Sequence, residues 1–224
     1  MIDSVLLTVI ILFATHLVGG VAAFGSTLLA LPLMLLIGWD VRPAVAMLLI
    51  VGSVQALSMV WLNWRGVDWR ALGRILLLAG LGLPVGFFFA GFLPERVLQV
   101  ALGAVLAGAG ISRLAEHWQQ REWDPPAWAL HGLLLVGGVI HGAFGSGGAT
   151  LPVYGRYALK TKDAFRGTLP VMWVILNTAV ITGLAFEGHV GYEVARVALP
   201  GAVAIFLGTV LGHRMAGLLS QARF

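Results

Sequence analysis

There is no cysteine among the 224 residues, and only 11% of them carry charge. The first absence excludes disulfides, thiolate metal sites and cysteine nucleophiles, and leaves the redox compartment undetermined. The second stands beside 59% hydrophobic residues and a mean hydropathy of +0.92, and excludes a soluble globular domain, whose core could not bury so large an apolar fraction. Carboxylates are scarcest where they would matter most. None stands clearly inside an apolar run, which argues against carboxylate-based proton or sodium coupling. The formal net charge of +4 does not mark a nucleic-acid partner, because the basic residues fall in breaks between apolar runs, where they report orientation in a membrane. No nucleic acid, metal or cofactor is expected.

What is present is a series of apolar runs, many approaching or exceeding 18 residues, which a bilayer forces into helices. They read at about residues 5–22, 27–38, 43–63, 70–92 and 95–113, then at about 128–143, 147–158, 165–186 and 193–218. The expectation is an all-α polytopic membrane protein with about nine hydrophobic segments. Val5 to Val21 lacks the basic flank of a signal peptide and is read as part of the mature chain. The 30 glycines permit close helix packing through small-xxx-small faces. Trp39, Trp61, Trp64, Trp69, Trp118, Trp123 and Trp128 cluster near segment ends as interfacial anchors.

One pattern occurs twice. Ala23-Phe24-Gly25-Ser26 through Leu31-Pro32 returns 120 residues later as Ala143-Phe144-Gly145-Ser146 through Leu151-Pro152. Ala44 matches Ala164 at the same spacing, and Gly82-xxx-Gly86-xxx-Ala90-Gly91 matches Gly208-xxx-Gly212-xxx-Ala216-Gly217. The chain reads as a duplication: residues 1–115 form one membrane repeat, 116–126 a polar linker, and 127–224 a second repeat. Loop charges relate the two. Arg65, Arg70 and Arg74 follow the third segment of the first half, whereas Arg156, Lys160, Lys162 and Arg166 precede its counterpart in the second. Equivalent loops then face opposite sides, the mark of an inverted repeat, with the linker and C-terminus cytoplasmic and the N-terminus outside.

In that arrangement residues 5–38 and 127–158 must each begin and end on one side. Each second arm, 27–38 or 147–158, is about 18 Å long as a helix, against about 30 Å of hydrocarbon. Two re-entrant-type broken hairpins are therefore expected, entering from opposite faces with Phe-Gly-Ser at tips near mid-membrane, buried in protein or lining a watery cavity.

Short helices starting at Ser26-Thr27 and at Ser146-Gly147-Gly148 would present backbone N–H groups and positive dipole ends. Gly25, Ser26, Thr27, Gly145, Ser146, Gly147, Gly148 and Thr150 are thus candidate binding residues for a small oxyanion, with no lysine or arginine required at the centre. His141 and His16 are candidates for a coupling proton, since imidazole titrates near neutrality. Gln55 and Asn177 are candidate polar support. Pro32 and Pro152 read as kinks inside the short helices. A competing reading is an intramembrane serine hydrolase with Ser146 as nucleophile and His189 or His213 as base; Phe144 stands where rhomboids carry glycine, and Ser26 has no similarly placed histidine. No enzyme is expected. A third reading is a membrane scaffold without transport.

The paired motifs GGVAAFGSTLLALP and GVIHGAFGSGGATLPV, the Asp40-x-x-x-Ala44 and Asp163-Ala164 segments and the repeated glycine helices resemble the TauE/SafE family of sulfite exporter-like proteins over most of the chain. The resemblance implies a transporter of the bacterial inner membrane that exports sulfite, sulfonates or related organosulfur anions. Two departures stand out. Thr27-Leu28 replaces the glycine pair of the second motif, and the second repeat lacks a counterpart of helix 95–113. Either the protein is short, with a homo-oligomer covering the gap, or the chain is trimmed.

Overall fold

Two glycine-lined helix pairs and one antiparallel crossing organise the computed structural model, which describes residues 2–22, 26–119, 125–147 and 150–218. Among these residues the secondary structure is helical throughout: α1 (Ile2–Ala22), α2 (Ser26–Leu36), α3 (Val41–Asn63), α4 (Trp69–Phe92), α5 (Glu95–Gln119), α6 (Ala127–Phe144), α7 (Leu151–Ala158), α8 (Lys162–Phe186) and α9 (Tyr192–Leu218), with a 3-10 turn at Trp64–Gly66. Six of them, α3, α4, α5, α6, α8 and α9, hold stretches long and apolar enough to cross a bilayer. The chain is an all-helical polytopic membrane protein. Helix α5 runs on to Gln119, so the polar stretch 116–126 begins as helix; residues 120–124 lie outside the described residues.

Helix starts follow local chemistry. Asp68 accepts from the N–H groups of Arg70 and Ala71, each at 3.0 Å, and so begins α4. Thr161 accepts from Ala164 at 3.1 Å and begins α8. Both supply acceptors to donors that a helix leaves unpaired in its first turn.

Helix α3 is the hub, packed against α2, α8 and α9, with Val41, Ala44 to Leu49 and Val51 buried. It crosses α8 antiparallel. Near mid-span Asn177 donates to Ser53 Oγ at 3.1 Å, and at one end Asp68 N–H donates to Thr168 Oγ1 at 2.9 Å. There a Cβ on Gly167 would come within 2.8 Å of backbone at Gly66 and Asn63. This is the Asn63 end of the bundle. The start of α3 and the end of α8 define the opposite, Arg42 end.

The glycine rows sit where two helices run parallel in backbone contact. A side chain on Gly82 or Gly86 of α4 would collide with the backbone at Leu135 or Val139 of α6, and one on Gly138 or Gly142 with that of Ala79 or Leu83. In the other pair, Gly208 and Gly212 of α9 face the backbone of Phe13 and Leu17 of α1, and Gly20 faces Thr209. Lipid offers no hydrophobic drive for helix association, so this close approach is what holds each pair.

Candidate functional site

The second hairpin is shaped by its glycines and one histidine. Gly145 has φ of 61°, a left-handed conformation that ends α6, and its N–H donates to His141 O at 2.8 Å. The next turn brings Gly147 N–H to 3.3 Å from His141 Nδ1. Thr150 N–H then donates to Gly147 O at 3.2 Å, and α7 starts only at Leu151.

Two expectations are corrected here. The short helix does not begin at Ser146-Gly147, because the left-handed residue and the captured Gly147 amide hold the chain in a turn. Pro152 does not kink a helix, because it stands in the first turn of α7, where its missing N–H forfeits no bond. Pro32, by contrast, lies inside α2.

The amides of Gly145 and Gly147 are occupied, and the hairpin also carries side-chain donors. His141 Nε2, Ser146 Oγ, Thr150 Oγ1 and Tyr154 Oη are all buried without a hydrogen-bond partner. His141 is fully buried and Ser146 is 1% exposed. Because His141 Nδ1 accepts from Gly147, the neutral ring carries its proton on Nε2. Its ring lies 5.4 Å from that of Trp173, with the Asn177 amide as a polar neighbour. Buried polar atoms without partners are rare and call for an explanation. Four of them lie on the two arms and the turn of this one hairpin.

At the first hairpin Gly25 lies outside the described residues, as Gly148 does at the second. Ser26 opens α2 and, like Thr27, is half-buried; a Cβ on Gly19 would stand 2.8 Å from Ser26 Cβ, so the two arms touch there. Trp39 Nε1 donates to Thr8 Oγ1 at 3.0 Å and closes the hairpin at its open end. His16 is 2% exposed, and its Nδ1 lies 2.9 Å from Leu12 O. A carbonyl only accepts, so the proton of His16 is on Nδ1, the nitrogen that is bare in His141. Gln55 is apart from the second tip, donating to Thr209 Oγ1 at 2.7 Å.

The tips are not level with the middle of the bundle. Gly145 abuts Val45 and Leu49, in the second and third turns of α3, and Gly20 abuts Thr209 and Gly212, toward the end of α9. Each hairpin thus reaches past mid-helix.

The structure therefore brings together His141, Gly145, Ser146, Gly147, Thr150 and Asn177, and keeps Ser26, Thr27, His16 and Gln55 in separate local settings. Sequence reasoning missed Tyr154 and Trp173. Tyr154 was legible in principle, one helical turn after Thr150; Trp173 was not, since nothing in its apolar run sets it apart. Arg42, read as a loop residue, is only 8% exposed. The serine hydrolase reading gains no support: Ser146 Oγ has no hydrogen-bond partner, so no histidine is bonded to it, His189 pairs with Glu187 at 3.6 Å, and the His213 side chain is outside the described residues.

Comparison with known proteins follows the same direction. The profile of the family described as "Sulfite exporter TauE/SafE" matches residues 7–224. The chain is 32% identical over 159 residues to the "Probable inner membrane transporter protein TsaS" of Comamonas testosteroni, covering 69% of this chain and 65% of that relative. It is 27% identical over 229 aligned positions to the "Probable membrane transporter protein YjnA" of Bacillus subtilis (strain 168), covering 92% and 89%. No solved structure gives a significant match.

Proposed function

The chain belongs to the TauE/SafE sulfite exporter family, and from that premise we propose that it is a secondary transporter of the bacterial inner membrane that exports a small oxyanion, sulfite or an organosulfur anion such as a sulfonate. The reading that it is a membrane transporter and not an enzyme rests on the family and on the names of its relatives. The anion reading rests on one observation above all. Around the second tip, His141 Nε2, Ser146 Oγ, Thr150 Oγ1 and Tyr154 Oη are buried and unpartnered. A set of uncharged donors suits a solute that must be bound and then released.

In this proposal Ser146, Thr150 and the turn of Gly145, Gly147 and Gly148 form the substrate site of the second hairpin, and Gly25, Ser26 and Thr27 are a separate contact point on the first. His141 and His16 carry protons if transport is coupled to them, and Asn177 and Gln55 give polar support. Residues 1–115 and 127–224 are the two repeats, joined by 116–126. The antiparallel crossing of α3 and α8, with α1 packed on α9 and α6 on α4, supports an inverted relation between them. It lets each hairpin open in turn as the halves rock. Arg65, Arg70, Arg74, Lys160, Lys162 and Arg166 gather at the Asn63 end, which supports a cytoplasmic assignment of that end by the positive-inside rule.

The test is sulfite efflux from proteoliposomes containing the purified protein, with Ser146→Leu and Ser26→Leu beside it. Efflux that collapses with Ser146→Leu while the protein stays monodisperse supports the site; unchanged efflux removes it. Failure to move sulfite alongside flux of a sulfonate would reassign the substrate within the same site.

A further inference from the structure

Arg42 stands in the first turn of α3, at the same end of the bundle as the second tip. Its side chain is 10% exposed and meets Glu187, which follows α8 and is 35% exposed. The guanidinium carbon lies 4.9 Å from the centre of the Phe87 ring, and Nη1 is 3.5 Å from the Phe87 carbonyl. Nη2 is the atom that meets the Glu187 carboxylate, and Nε is buried with no hydrogen-bond partner. A guanidinium has five N–H donors in a fork that matches an oxyanion, and here one half-exposed carboxylate and one backbone carbonyl are its acceptors.

Its position ties it to the tip. Val45 and Leu49, which touch Gly145, follow Arg42 by three and seven residues and so share its face of α3. Along the axis they lie roughly 5 Å and 10 Å from it. Phe87 continues the link, since its ring faces Arg42 while its backbone nitrogen faces Gly142 of α6.

We propose that Arg42 is an anion-binding residue at the mouth leading to the second tip, and that the carboxylate of Glu187 occupies its donors until an arriving oxyanion displaces it. Of the two partners only Glu187 is exposed enough to turn into water, so the pair opens by movement of the carboxylate. The arriving solute has the same charge and the same acceptor geometry as the group it displaces. This deepens the anion reading above and rests on it.

The experiment measures saturable thermal stabilisation by sodium sulfite, sodium sulfate and sodium chloride at constant ionic strength, for the wild type, Glu187→Gln, Arg42→Gln and Ser146→Leu in lipid nanodiscs. Removing the competing carboxylate is expected to tighten oxyanion binding about tenfold, and removing the guanidinium to weaken it by about as much, the scale of a single charge pair. If Ser146→Leu loses binding while both Arg42→Gln and Glu187→Gln keep the wild-type affinity, Arg42 is overturned and the tip site stands. If Glu187→Gln weakens binding, the pair is a structural strut and the proposal fails. Should Arg42→Gln not fold, Glu187→Gln decides alone. No saturable response from the wild type to any of the three salts overturns this proposal and the anion reading together.

Discussion

His141 Nδ1 lies 3.3 Å from the backbone nitrogen of Gly147, so a side chain of α6 holds the turn that follows its own helix. A proton added to the neutral ring must go to Nδ1, where it removes the acceptor and frees the turn.

Replacing His141 with alanine leaves the Gly147 N–H buried and unpaired, which costs about 1–3 kcal/mol. Thermal unfolding in detergent should register that loss. His141→Gln is the functional counterpart: if the ring carries the coupling proton, downhill flux persists and its pH dependence disappears. A pH profile identical to wild type would make the histidine structural.

The glycine rows separate by position. Gly86→Leu places a side chain against the Val139 backbone, and Gly212→Leu does the same against Leu17; both variants should fail to give a monodisperse protein on gel filtration. Gly80 and Gly103 have nothing within 4 Å of an added Cβ. Their alanine variants should be as stable as wild type or up to about 1 kcal/mol more so, as glycine is a poor helix former. Equal behaviour of the two classes would refute the backbone contacts.

Asn177 and Ser53 bridge α8 to α3 at 3.1 Å, and Gln55 bridges α3 to α9 through Thr209 at 2.7 Å. Hydrogen bonds between membrane helices average about 0.6 kcal/mol and reach about 1.7 kcal/mol. A double-mutant cycle on Asn177→Leu and Ser53→Ala should return a coupling in that range. Zero coupling would mean the bond is not formed in the folded protein.

His189 is held below the ordinary imidazole value, first by burial and then by the Arg42 charge, with Asp40 acting the other way. In the acid range the unfolded chain then binds the proton more readily than the folded one. Stability from this group is complete above about pH 6.5 and is lost as pH falls through the lower folded value. Melting temperature should decline on acidification from pH 7 toward 5, and His189→Gln should flatten part of that decline. A slope untouched by the substitution would refute the assignment.

Much of the architecture was legible before any coordinates. The helical membrane class, the segment bounds within a few residues, and the glycine faces of α4 and α9 all follow from hydropathy and residue size. The Gly-Ser breaks were legible as well, because a glycine and hydroxyl cluster inside an apolar run is a poor way to continue a helix. What they would present to a ligand was not. Free amides were expected at the second tip, yet Gly145 and Gly147 give theirs to His141. Arg42 read as a loop charge because its burial depends on Glu187 and Phe87, which lie far along the chain and arrive only when α4 and α8 close over it.

The sequence by itself determined that this chain spans a bilayer as helices and breaks two of them, because transfer from water and the pairing of backbone groups in lipid are decided residue by residue. Only the tertiary structure decided which side-chain donors lack a partner, how far each hairpin reaches, and that an arginine is buried against α4 and the residue that follows α8. Hydrogen-bond satisfaction and burial depend on which distant segments meet, and no local pattern encodes that.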